Sequence, residues 1–400
     1  MPDERDTARY RSAVAIALLA LCVIDAACER RPQRQTVTSA MRVALAPSVS
    51  GLRGREADIL QAWVQYLQST AGSYAQAACR PSALWVASDQ QRWPCYHLAG
   101  NYIADGAAPE ILSIRRSTIG GAADGDDAYV VVTRFQEDSA RSPTQSRTVE
   151  LTVFAQRTGR DWKFSTALPR YTRLWERRVV GPFTYVIEPG IAFNRQRADS
   201  AVAFMDSIVA MFAVPRPAPL TYYLHSTMGA AFRAMGLVPD HEIGPVGALA
   251  QPNNQQLFSG IPALGENYRH ELAHIALRPL LGNASYFVSE GVPTWLGGTV
   301  GMDFPAAARA LAVFLDAHPT VTLDSILAGR APQGQFYQGG AVFVQIAYER
   351  GGVVAVRALF DAGGEPSFKS AMERLFGEPW PAIARRWRLR AASYGDARRQ

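Results

Sequence analysis

The chain of 400 residues is poor in lysine, and its positive charge is not concentrated. Lysine occurs only at Lys163 and Lys369, while arginine is spread along the chain, so the formal charge of +6 does not indicate a surface for nucleic acid. The densest basic run, "ARRWRLR" at 384–390, has the spacing of a solvated helix face that Trp387 and Leu389 anchor. We therefore expect no nucleic-acid partner.

Long apolar runs are equally scarce. The run "SAVAIALLALCVI" at 12–24 follows two arginines and is too short to span a bilayer comfortably. Residues 1–28 are thus typical of a signal peptide or a lipoprotein leader, which predicts export to a bacterial cell envelope, periplasmic or secreted. Cys28 in "DAAC" is a candidate lipid anchor, and the only expected link to a membrane. Because Asp25 stands where such signals carry an aliphatic residue, anchoring stays open.

Cysteine is also rare, with four in the chain. Beyond the leader only Cys79 and Cys95 remain, and in an oxidising compartment they form either one disulfide or two reduced, buried thiols. Neither has a second cysteine or histidine at the spacing of a zinc clamp, which argues against a metal site there.

A length of 400 residues is more than one hydrophobic core usually serves, so we expect two domains. The composition, 48% hydrophobic and 19% charged, is ordinary for a folded protein. Residues 45–172 begin with an amphipathic helix over 55–75, followed by alternating β-rich segments at 127–135, 147–157 and 161–169. A helix followed by an antiparallel sheet resembles the nuclear transport factor 2-like domains. No catalytic constellation is evident in this half.

The second predicted domain covers residues 176–395. Strand-like runs alternate with helices at first, and beyond residue 262 nearly every segment is helical. The segment "GALAQPNNQQLFSG" is either an extended edge or an ordinary loop. We predict an α+β protein, in which an N-terminal domain of a helix and an antiparallel sheet precedes a C-terminal domain with a small α/β lobe and a helical lobe.

The most informative segment is "ENYRHELAHIAL" at 266–277. It contains the pattern H-E-x-x-H as His270, Glu271 and His274. On a helix, residues four apart lie on the same face, so the two imidazoles can share one zinc ion while Glu271 faces a water on that metal. The alternative is a buried helix that holds two ordinary histidines.

A catalytic zinc site needs a third protein ligand and an open position. Glu290 in "YFVSEGVPTWLGG" lies sixteen residues beyond His274, which leaves room for one helix to end near Gly282, the chain to turn, and a second helix to begin around Ser289. That return would place Glu290 against the first helix.

"HELAH" followed by "SEGVPTWL" resembles the gluzincin zinc metallopeptidases, the thermolysin and aminopeptidase group, and especially their peptidase-MA-like bacterial relatives. The resemblance covers about residues 176–390 and implies a zincin-like fold with Glu290 as the third zinc ligand. Phe287 stands where the family often has Trp, Pro293 where it often has Ala, and the spacing between the motifs is a few residues shorter.

The later segment "FYQGGAVFVQIAYERGG" matches a tyrosine before a small-residue helix in the same relatives. By resemblance, Tyr337 donates a hydrogen bond to the oxyanion; the alternative is a packed tyrosine. The other histidines His225, His241 and His318 lack a partner at ligand spacing, and we expect surface or cap positions for them.

The sequence therefore predicts an exported zinc metallopeptidase that acts on a peptide or protein substrate. The G-x-M-E-N segment by which zinc aminopeptidases hold an amino terminus is missing, so the choice between endo- and exopeptidase stays open. Two alternatives remain: a non-catalytic envelope binding module on a peptidase-like fold, and a zinc hydrolase of a non-peptide amide.

Overall fold

The computed structural model describes residues 42–70, 82–92, 108–118, 128–136, 148–239, 247–251, 255–364 and 367–396. The predicted leader with Cys28, the pair Cys79 and Cys95, and His241 lie outside these residues. Within the described parts the chain is α+β, as predicted. It divides into two compact units, with the main boundary between Glu176 and Arg177.

The N-terminal unit is built on one sheet. Its strands are β1 (Ala44–Leu45), β2 (Ala108–Arg116), β3 (Ala128–Gln136), β4 (Thr148–Thr158) and β5 (Asp161–Thr166), in that spatial order. β1 and β2 are parallel, and the pairs from β2 to β5 are antiparallel. The expected β-rich segments are thus three adjacent strands of this sheet, and the turn at Gly159 (φ 66°) joins the last two.

Helix α1 (Arg55–Thr70) belongs to the same unit, together with α2 (Ala87–Arg92) and α3 (Leu168–Tyr171). The apolar positions of α1 recur at helical spacing, and Trp63, Tyr66 and their neighbours Ile59 and Leu67 are fully buried. The indole N–H of Trp63 donates a hydrogen bond to the Thr133 hydroxyl on β3 over 2.8 Å. This satisfies a buried donor that would otherwise be costly.

A distant segment completes the N-terminal sheet. Residues 228–239, which the sequence places inside the second domain, form α5 (Met228–Ala234) and β9 (Leu237–Pro239), and β9 pairs with β4. Gly236 makes the close approach: its φ is 85°, and a Cβ would lie 2.5 Å from the Thr152 carbonyl oxygen.

The C-terminal unit contains the second sheet. Its strands are β6 (Glu176–Val180), β7 (Phe183–Ile187), β8 (Leu220–Leu224), β10 (Ala248–Gln251) and β11 (Gln256–Ser259). Their spatial order is β10-β11-β8-β7-β6. β7, β8 and β11 run parallel, while β10 is an antiparallel edge strand of the described sheet. The segment that the sequence leaves as an edge or a loop is therefore an edge hairpin.

Eight α-helices of the described chain belong to this unit. They are α4 (Arg195–Phe212), α6 (Arg269–Leu277), α7 (Tyr286–Gly297), α8 (Phe304–Ala317), α9 (Leu323–Leu327), α10 (Gln333–Phe360), α11 (Ser367–Phe376) and α12 (Trp380–Asp396). A short 3-10 helix, Arg278–Asn283, links α6 to α7. One continuous apolar core joins the sheet to these helices.

Helix α12 carries the basic run of the sequence. Trp387 is buried as expected, but Leu389 is 66% exposed and anchors nothing. The guanidinium groups of Arg386 and Arg390 pair with Glu378 and Glu349, so they are engaged inside the unit. Among the described helices, none is both long enough and apolar enough to cross a membrane.

Candidate metal centre

The two histidines of the H-E-x-x-H pattern lie one turn apart on α6, which is buried on nearly all sides. Their Nε2 atoms are 3.2 Å apart. Helix geometry explains the common face, because residues i and i+4 stack along the axis. Both Nε2 atoms thus lie close together on one side of α6.

Glu290 on α7 meets the histidines at that point. Its Oε2 lies 3.2 Å from Nε2 of His270 and 3.4 Å from Nε2 of His274. A tetrahedral zinc ion with ligand bonds of about 2.0–2.1 Å keeps its ligand atoms about 3.3–3.4 Å apart. The three residues are 4–8% exposed. Their separations and chemistry fit three ligands of one zinc ion.

Glycines allow α7 to approach both of its neighbours. At Gly297, an added Cβ would lie 2.6 Å from the backbone nitrogen of His270, so α6 and α7 touch there through their backbones. At Gly291, an added Cβ would lie 2.7 Å from the backbone of Gly340 on α10. Helix α7 begins at Tyr286, earlier than the expected Ser289, because Ser285 caps it by accepting from the Val288 N–H.

The ring of His270 is oriented by a main-chain carbonyl. Its Nδ1 lies 3.0 Å from the carbonyl oxygen of Gly298, so Nδ1 carries the hydrogen and donates it. The lone pair of Nε2 is then left for a metal, the arrangement that protein metal sites commonly use. Gly298 has φ 79°, and a Cβ there would lie 2.1 Å from the Met302 carbonyl oxygen. The position therefore requires glycine.

Glu271 lies beside this cluster without joining it. Its side chain is buried, and Oε2 accepts a hydrogen bond of 2.8 Å from the backbone N–H of Ala250 on β10. The carboxylate is thus fixed between α6 and the edge strand. Its other oxygen, Oε1, has no role in that bond.

Electrostatics favour an ionised Glu290. Burial alone would raise the pKa of its carboxyl group, but the charge and hydrogen bonds of His274 and His270 lower that pKa to about 2. Glu290 is therefore ionised. A carboxylate beside two imidazoles that have lost their extra protons is a ligand set that zinc binds readily.

Tyr337 on α10 lies next to the cluster. The centroid of its ring is 5.8 Å from that of His270, and its hydroxyl is 3.2 Å from the hydroxyl of Tyr286. Burial, followed by the nearby charge of Glu290, raises the pKa of Tyr337 well above its ordinary value. The phenol therefore keeps its proton and can act as a hydrogen-bond donor.

The remaining histidines are not part of the cluster. His318 ends α8 at its C-cap and is exposed, as expected for a cap position. His225 was expected at the surface or in a cap, which is wrong: it follows β8, is 1% exposed and lies beside the stacked rings of Tyr223 and Phe258. Burial lowers the pKa of His225 to about 4, so it is neutral at pH 7.

Sequence reasoning missed three groups of this centre: the Gly298 carbonyl, the Ala250 amide and the Tyr286 hydroxyl. The first had a weak signal, since "GG" after the apolar run of α7 marks a helix end. The other two act through long-range contacts. Comparison with protein-family models gives no match, and no curated protein is significantly similar in sequence.

Proposed function

We propose that the chain is an exported zinc-dependent metallopeptidase of gluzincin type, which hydrolyses peptide bonds. The observation that carries the proposal is the convergence of His270, His274 and Glu290 within ligand distance, with Glu271 on the same helix. This is also the combination by which the sequence resembles the gluzincins. The two neutral imidazoles and one carboxylate would hold zinc and leave a position open.

A zinc ion held by His270, His274 and Glu290 would supply Lewis-acid chemistry, polarising the scissile carbonyl and lowering the pKa of a water toward neutrality. Side chains of the protein would carry out the proton transfers. Glu271 accepts one from the attacking water as the oxygen–carbon bond forms. It then delivers that proton to the amine nitrogen as the carbon–nitrogen bond breaks. Tyr337, whose ring lies next to that of His270, would donate a hydrogen bond to the carbonyl oxygen as that oxygen gains negative charge.

The carboxylate of Glu271 favours an enzyme over a binding module. A buried acid adjacent to a metal ligand costs desolvation energy, and its single hydrogen bond from the Ala250 N–H offsets only part of that cost, whereas a general base requires the carboxylate. A non-peptide amide would be hydrolysed by the same groups, so a substrate screen has to include both bond types.

The test compares zinc-loaded wild-type protein with Glu271→Gln. The substitution keeps the shape of the side chain and an acceptor for the Ala250 N–H, but it removes the base. We expect cleavage of peptides from a denatured-protein digest by the wild type and a loss of about 10³-fold or more in the variant. Zinc content should be equal in both. Wild-type protein that holds zinc but cleaves neither peptides nor other amides would contradict the proposal and favour the binding module.

A further inference from the structure

Some backbone N–H groups of strand β10 point away from its neighbour β11. The N–H of Gly260 donates to the Gly247 carbonyl over 2.9 Å, which makes these two residues a hydrogen-bonded pair of the β10–β11 hairpin. Bonded and non-bonded pairs alternate along antiparallel strands. The pair Ala250–Leu257, three positions on, is therefore non-bonded, and the N–H of Ala250 points away from β11.

That outward N–H is directed at the carboxylate of Glu271. The distance from the Ala250 nitrogen to Oε2 is 2.8 Å, and both residues are less than a tenth exposed. A hydrogen bond to an ionised carboxylate in a buried place is stronger than one between neutral groups. The hairpin itself is fastened to the sheet, because β11 pairs with β8.

We infer that the main-chain amide of Ala250 positions Glu271 for proton transfer, and this inference rests on the proposed function. One oxygen of the carboxylate is held by β10, so the other is left at a fixed place for the proton of the water. The zinc ligands come from the helices α6 and α7, whereas the base is held by the sheet. The Ala250 amide thus fixes the position of the Glu271 carboxylate relative to the metal ligands.

The Glu271 carboxylate needs such a bond because a glutamate side chain has considerable conformational freedom. Three rotatable bonds separate its carboxylate from the backbone, and α6 fixes the backbone alone. A general base has to lie within about 2.6–3.2 Å of the atom whose proton it takes. A misplacement of about 1 Å costs on the order of 10²-fold in rate. One directional bond to a rigid strand removes this freedom.

Proline substitution removes the amide hydrogen and puts the ring Cδ in its place, so the carboxylate of Glu271 loses its donor and has to leave its position. Proline is tolerated in an edge strand where the N–H faces outward. Ala250→Pro deletes the donor to Glu271. Ala248→Pro is the matched control, because Ala248 is an alanine of the same strand in another non-bonded pair, and Glu271 does not accept from it. Ala250→Gly keeps the N–H and tests whether the side chain matters.

We expect Ala250→Pro to lower kcat on the order of 10²-fold, with KM within about twofold of the wild type and zinc content unchanged. Ala248→Pro and Ala250→Gly should stay within about threefold of the wild-type kcat. Full kcat in a folded, zinc-loaded Ala250→Pro protein would overturn the inference while leaving the proposed function intact. A wild type without activity would end both.

Hydrogen exchange provides a readout that does not depend on activity. The Ala250 N–H lies outside the strand ladder, so Glu271 protects it, whereas the N–H groups of Leu249 and Gln251 face β11. In Glu271→Ala we expect one additional fast-exchanging amide in the peptide that contains β10, and none in Glu271→Gln, which keeps an acceptor. Equal exchange at Ala250 in wild type and Glu271→Ala would refute the bond itself.

Discussion

Gly340 offers a quantitative test of how the metal ligands are brought together. In Gly340→Ala, the new Cβ would lie 2.7 Å from the carbonyl oxygen of Phe287 on α7, whereas ordinary contact begins at 3.4 Å. The helices α7 and α10 must therefore separate by about 3.4 − 2.7 = 0.7 Å. The opposing atoms belong to the backbone, so no side chain can yield instead. We expect a destabilisation of about 1–3 kcal/mol.

The neighbouring Gly339 is the matched control. An added Cβ there meets its nearest atom, on the Trp387 ring, at 3.4 Å, which is ordinary contact. Gly339→Ala should therefore stabilise the protein by about 0.5–1 kcal/mol, because alanine is the better helix former. The two neighbouring substitutions thus have opposite signs in one helix.

The assay is chemical unfolding of both variants without metal, followed by zinc affinity against a competing chelator. Movement of α7 shifts Glu290 relative to α6, so Gly340→Ala should also weaken zinc binding by about tenfold, while Gly339→Ala leaves the zinc affinity unchanged. If Gly340→Ala is as stable as Gly339→Ala and binds zinc equally well, the glycine contact does not position Glu290.

Three further predictions address the site and its surroundings. Gly298→Ala should lower zinc affinity about 10–100-fold in the chelator competition, since a Cβ there displaces the carbonyl that orients His270; normal affinity would refute that role. Tyr337→Phe should reduce kcat about 10²-fold with zinc retained, whereas Tyr286→Phe, which keeps the Tyr337 hydroxyl, should not; equal rates would assign Tyr337 to packing. His225 stays neutral in the native protein down to pH about 4, while the unfolded chain binds a proton below pH 6.5. The contribution of His225 to the free energy of unfolding is therefore complete above pH 6.5 and is lost as the pH falls toward 4. This loss is about 3 kcal/mol at most. His225→Gln should flatten the dependence of unfolding free energy on pH in that range, and an unchanged slope would contradict the assignment.

The grouping of His270, His274 and Glu290 could be predicted from the sequence because it depends on local geometry. The spacing of His270 and His274 places them on one helix face, and the stop signals between the motifs make a return of Glu290 plausible. The Ala250 amide could not be found in the same way. Its bond to Glu271 follows from the register of β10 against β11 and from the packing of α6, neither of which leaves a local pattern.

The difference between local sequence patterns and long-range contacts also explains which elements of the fold the sequence did not predict. The amphipathic helix α1 and strands β3 to β5 have clear periodicity and were predicted at nearly their observed positions. Strand β6, "ERRVV", has four exposed residues of five and no apolar alternation, so nothing marked it. Strand β9 lies more than seventy residues after its partner β4 in the chain, and only the tertiary fold pairs them.

The proposed function requires that His270, His274 and Glu290 hold a zinc ion. The most direct test is the metal content of the protein, purified without a metal-binding tag, beside His270→Ala and Glu290→Ala. We expect about one zinc per chain in the wild type, and loss or strong weakening of zinc binding in both variants. A wild-type protein that holds no zinc after native purification and zinc addition would contradict it, and "HELAH" would then be only a buried helix.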